Sequence, residues 1–183
     1  MKELFNKNIN KRKRSSIIQL LSIIICFFFI SSGCAKSSTQ REIEEGWGET
    51  QSLSVATDWA GIDFESPAET FTLNDGRNIE LTTYRYRTGI VEALYKGEDY
   101  EVVFRRSDRL EGAALAEDDR TYSKEWESDL NGIKIHCFGD GTCINTGFFN
   151  IGDDHYTITA HIGSEGIGLT EEELASFIKP LVG

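Results

Sequence analysis

The sequence predicts an α+β domain: an antiparallel meander sheet packed on one face by a C-terminal α-helix. Three observations carry this expectation. Short runs of alternating apolar and polar residues follow one another from residue 71 onward. Pairs and triplets of Gly, Asp and Asn separate those runs at hairpin spacing. The chain then closes on a capped amphipathic segment.

Taken in order, the predicted strands cover residues 79–86, 90–95, 100–105, 122–128, 133–138, 143–149 and 155–162. Asp75-Gly76, Lys96 to Asp99, Asn131-Gly132, Gly139 to Gly141 and Gly152 to Asp154 supply the turns. Within the runs, Val91/Ala93/Tyr95, Tyr100/Val102/Phe104, Ile133/Ile135/Cys137 and Tyr156/Ile158/Ala160 fall on single faces, as a half-buried sheet requires. Residues 110–119 are weakly patterned and read as a short helix or a loop. At the C-terminus, Thr170 and Glu173 form a capping box, and Leu174, Phe177, Ile178 and Leu181 recur at helical spacing as one apolar stripe. A sheet with one apolar face and a helix with one apolar stripe bury each other.

The N-terminus reads as an address. Six Lys/Arg precede or begin a 14-residue run, residues 17–30, that is apolar except for Gln19 and Ser22. Crossing a bilayer takes about 20 apolar residues, whereas a signal segment needs roughly 7 to 15. Residues 1–33 are therefore expected to be a lipoprotein signal peptide, with Ser32-Gly33-Cys34 similar to a lipobox and Cys34 the lipidated residue, carrying diacylglycerol and palmitate. An uncleaved signal anchor, or cleavage elsewhere after a small residue, is the alternative. Residues 34–57, polar and rich in Ser, Thr and Glu, read as a flexible tether, and residues 58–183 as the single folded domain. The expected location is the extracytoplasmic face of a cell membrane, reached through the lipid anchor.

Charge narrows the partners. The chain holds 19 basic and 30 acidic residues; residues 1–33 contain 6 and 1 of these, leaving 13 against 29, a formal −16 for residues 34–183. Such a field repels nucleic acid and anionic lipid. No nucleic-acid partner is expected; an envelope component or a membrane protein is.

The order of elements is similar to a family of uncharacterised bacterial secreted lipoproteins, whose domain also occurs at the extracytoplasmic end of anti-sigma-factor-like membrane proteins. The stretches that carry the likeness are GIVEALY (89–95), VFRR (103–106), NGIKI (131–135), GFF (147–149) with YTI (156–158), and LTEEEL (169–174). They span residues 60–183 and are packing and turn motifs. The resemblance implies a fold and a secreted, lipid-anchored setting, suggests a sensory role in envelope signalling, and assigns no catalytic residue.

Few of the remaining residues point to chemistry. Cys26 leaves with the signal, so Cys137 and Cys143 remain; they flank a five-residue loop and are expected to form a disulfide, with two buried thiols as the alternative. His136, His155 and His161 lack metal-site spacing and read as surface residues, so no metal or cofactor is expected. Gly163 to Gly168 contains no nucleophile turn or phosphate loop and reads as a connection. Arg85, Arg87, Arg105 and Arg106 gather near strand ends with aromatic neighbours. They are the candidate anion-binding residues, unless they form cross-strand pairs with Glu80, Glu92 and Glu101. These readings favour a non-catalytic binding or regulatory module, with an envelope-associated enzyme using strand-borne acids as the alternative.

Overall fold

Alternation becomes architecture through strand pairing, and in the computed structural model, which describes residues 46–182, all pairings are antiparallel. The strands are β1 (Gly48–Thr50), β2 (Thr70–Thr72), β3 (Asn78–Arg87), β4 (Ile90–Lys96), β5 (Tyr100–Ser107), β6 (Lys124–Leu130), β7 (Ile133–Gly139), β8 (Cys143–Ile151), β9 (Asp154–Ile162) and β10 (Leu169–Thr170). The helices are α1 (Leu53–Ala60), α2 (Gly112–Ala116) and α3 (Glu171–Ile178), the last followed by a 3-10 turn, Lys179–Val182. Strand order along the sheet is β1-β3-β4-β5-β9-β8-β7-β6. Two meanders, β3 to β5 and β6 to β9, are thus joined where β9 lies against β5. The connection from β5 to β6 crosses the sheet to make this possible.

Register defines the two faces. On the core face, Tyr84, Ala93, Phe104, Ile158, Gly147, Cys137 and Trp126 form one row running from β3 to β6. Helix α3 lies on this face, with Leu174, Phe177 and Ile178 fully buried and Leu181 nearly so, as the stripe requires. The Phe177 ring meets Tyr95, Phe71 and Phe104 at centroid distances of 5.2, 5.6 and 5.9 Å. The capping box forms, and Glu173 does more than cap: its Oε1 accepts the Asn74 backbone N–H at 2.7 Å, fastening the helix start to the β2–β3 turn. The β6–β7 turn uses Asn131 and Gly132, both at positive φ, and Asn131 Nδ2 donates to the Ala175 carbonyl on the helix.

The sheet opens at one end between β8 and β9, and the returning chain fills the opening. Ile167 pairs with Ile162, and Leu169 and Thr170 pair with Ile144 and Cys143. Gly168 is the residue that permits this, because a Cβ there would lie 2.2 Å from the Ile144 carbonyl oxygen. Asn145, buried in the gap, donates to the carbonyls of Ala160 and Gly166 at 3.1 and 2.7 Å.

Two expectations are corrected. The segment 34–57 is not tether throughout: residues 48–50 pair with Tyr84–Tyr86 of β3, and Ser52 caps α1, which buries Ala56 and Ala60. The folded part therefore begins at least ten residues earlier than expected; residues 35–45, the signal region and Cys34 lie outside the described residues. The Cys137–Cys143 disulfide is not formed either, and among the described residues both thiols are free. Register explains this: Cys137 sits opposite Gly147, whereas Cys143 sits opposite Thr170. Past the bulge Gly139 pairs with Ile144, so Cys143 is level with Asp140, three strand positions from Cys137 or roughly 10 Å at about 3.3 Å per residue, beyond the reach of a disulfide.

Replacing Phe177 by Ala is expected to cost roughly 3 to 5 kcal/mol, because the ring is fully buried against three others. Urea unfolding of the variant checks this, and an unchanged midpoint contradicts the packing of α3 on the sheet.

Candidate functional site

The four arginines expected to form one cluster lie on two faces. Successive residues of a strand point to opposite sides, so Arg105 and Arg106 cannot share a site. Arg105 is in a row with Glu92 and Arg85 on the outer face, away from α3, while Arg106 is in a row with Val91, Tyr86 and Tyr156 on the core face.

On the outer face the arginines are occupied. Glu92 is fully buried; Arg105 Nε donates to its Oε2, and Arg85 Nη1 lies 3.0 Å from its Oε1. Arg105 Nη1 also donates to the carbonyls of Leu115 and Ala116, both at 2.7 Å, which gives the last residues of α2 partners their own helix cannot supply. Arg87 pairs with Glu117 at 2.5 Å. The Trp47 ring lies beneath all three guanidinium groups, 4.6 Å from Arg87, 4.9 Å from Arg85 and 5.3 Å from Arg105. The cross-strand alternative is the observed one for Arg85 and Arg105 with Glu92, and these residues brace the outer face rather than present it to a ligand.

Arg106 differs. Its Nη2 pairs with Asp154 at 2.5 Å, while Nε and Nη1 are buried with no hydrogen-bond partner among the described residues. It lies at the base of a groove of about 700 Å3 between α1, the segment 63–65 and strands β5 and β9, with the hydroxyl residues Ser54 and Thr57 and the rings of Phe64 and Tyr156 in its walls. A second hollow of about 470 Å3 adjoins it, sharing Thr57, Asp63 and Arg106. Five acids line the two: Asp63, Glu65, Asp154, Asp58 and Asp108. One cation among five carboxylates does not make a site for a simple anion.

A third constellation was not visible in the sequence. Asp118, only 4% exposed at its side chain, precedes β6 and reaches β8. Its Oδ2 accepts from Thr146 at 2.5 Å and Tyr122 at 2.6 Å, and its Oδ1 accepts from Arg120 Nε at 2.8 Å. Burial alone would raise its pKa, but these hydrogen bonds outweigh it and hold the carboxyl down to about 2. His161 Nε2 lies 3.5 Å from the Tyr122 hydroxyl, and its pKa is lowered, first by burial and then by Arg120. Surface exposure, expected for the three histidines, is therefore not what His161 has. An acid held this low keeps its charge at neutral pH and suits fastening the 117–123 segment to β8 better than moving protons. Among the described residues no three His, Cys, Asp or Glu side chains converge as a metal site. The buried thiol of Cys137 is pushed up to about 12 by burial and by Glu171, so it stays protonated.

The folded pKa of Asp118 lies below its unfolded value of 3.8, so its contribution is complete above that value and is lost as pH falls toward about 2. Asp118→Asn is expected to be about 2 kcal/mol less stable than the parent at pH 7. The gap should close between pH 4 and pH 2, as measured by denaturant titration at each pH. A gap independent of pH contradicts the assignment.

Comparison with known proteins adds no relative: no family model, no curated protein and no solved structure matches the chain.

Proposed function

We propose that the chain is a lipid-anchored, extracytoplasmic, non-catalytic binding module, and that its ligand is a small zwitterion, a free amino acid or the end of a short peptide, held in the groove above Arg106. The address rests on the charged start, the 14-residue apolar run and the Ser32-Gly33-Cys34 sequence. The observation that carries the ligand class is the guanidinium of Arg106, with two donors unpartnered, set among five carboxylates. A ligand carboxylate that displaces Asp154 and turns the guanidinium toward the groove meets paired N–H donors, the bidentate arrangement arginine favours. A ligand ammonium then has Asp63 and Glu65 beside it, and Ser54 and Thr57 offer hydroxyls between the two ends. The groove volume is in the range of small-molecule sites, roughly 300 to 1,000 Å3.

Titration calorimetry with alanyl-alanine tests this reading. The parent chain is expected to bind the free dipeptide and to bind its N-acetylated and amidated forms at least about tenfold more weakly, the scale of one lost charge-assisted contact. Arg106→Lys should weaken binding and Arg106→Gln abolish it. Equal binding by all three proteins, or equal binding of the blocked dipeptides, contradicts the proposal.

A further inference from the structure

We infer that the outer face of β6, β7 and β8 is a docking groove for a cationic peptide segment, separate from the Arg106 groove and independent of it. The starting observation is an aromatic floor on a polar face. His136 and Phe138 of β7 and Phe148 of β8 point away from the core and are only half-buried. Their rings form one cluster: His136 to Phe138 is 4.8 Å, Phe138 to Phe148 is 5.2 Å, and the His136 and Phe148 rings are nearly parallel at 6°. Two phenylalanines on a solvent-facing sheet surface are a feature that the fold itself does not require, since α3 covers the other side.

Carboxylates flank this floor. A groove of about 710 Å3 has His136 and Phe148 at its base, Glu127 of β6 on one side and Glu111, just before α2, on the other. Both acids are exposed, and Lys134 is the one cation in the lining. Glu125 is engaged with His136 Nε2 at 2.8 Å, which fixes the tilt of that ring. The rings and the acids act with the same sign: the faces of the rings are electron-rich, the rims are anionic, and the body around them carries the acidic excess of the chain. A guanidinium satisfies all of these together, stacking flat on Phe148 while its edge donates to a rim carboxylate. Two rims on opposite sides of one floor accommodate successive basic side chains of an extended segment. The occupant is therefore an arginine-rich stretch of a partner protein.

The test uses the full chain in neutral detergent and an acetylated, amidated tetra-arginine peptide as the probe, followed by fluorescence anisotropy. The parent is expected to bind it. Phe148→Leu, which keeps the apolar bulk but removes the ring, should weaken binding about threefold, the scale of one exposed cation–π contact. Glu111→Gln with Glu127→Gln should weaken it about tenfold. Glu80→Gln with Glu98→Gln makes the same change in net charge at exposed positions outside the groove and should change binding less than about twofold, as screening implies. Tetra-lysine, which stacks less well, should bind more weakly than tetra-arginine. If Phe148→Leu binds like the parent while its melting temperature is unchanged, the aromatic floor is not the site. If the remote pair weakens binding as much as the rim pair, the attraction belongs to the whole acidic surface and the groove is not a site. If a neutral glucose tetrasaccharide binds and tetra-arginine does not, the floor stacks sugars, and the inference is overturned.

Discussion

The outer face of the sheet is organised by one buried charge. Glu92 sits in the middle of β4 with no exposure to solvent, and an ionised carboxylate in that position is tolerable only with close cationic partners. Arg105 and Arg85, its neighbours on β5 and β3, supply them. Other contacts of the outer layer depend on their placement. Arg105 is held by Glu92 in the position from which it reaches the carbonyls that end α2, so the long crossing connection is fastened over the sheet at this point. Trp47 closes the other side of the same arginines, and the adjoining strand β1 pairs with β3 at Arg85 itself.

The arginines of this layer are committed to architecture, whereas Arg106 lies on the core side. Arg106 is adjacent to Arg105 in sequence and on the far side of the sheet in space. Its guanidinium is flanked by α1, which packs against β1 and β3. The aromatic groove of β6 to β8 belongs to the opposite end of the sheet and shares no residue with the Arg106 groove.

Much of the sheet was legible because its signals are local. Turn residues such as Asn131-Gly132 and period-two runs such as Ile133/Ile135/Cys137 determine strand positions within a residue or two, and the capping box at Thr170 announces α3 without reference to anything distant. The missed elements are those whose stability is tertiary. Strand β1 is three residues long, and α1 has a narrow apolar face of alanines, so a polar stretch concealed both. The expected disulfide failed because loop length does not give register: the bulge at Phe138/Gly139 and the pairing of Cys137 with Gly147 are properties of the assembled sheet. The expected arginine cluster divides between two faces. Alternation along VFRR was enough to separate Arg105 from Arg106, whereas the match of Glu92 to both Arg85 and Arg105 needed the strand order. Nothing local marks Asp118, whose partners come from β8 and from Tyr122 four residues on.

Glu92 and Arg105 act as one buried unit on which the outer layer rests, and a double-mutant cycle measures the coupling between them. Unfolding free energies of the parent, Glu92→Gln, Arg105→Gln and the double variant are to be compared in urea. Each single change is expected to cost about 3 to 5 kcal/mol and the double change little more than either alone, because each single variant leaves an uncompensated buried partner. Two small costs that simply add would contradict it.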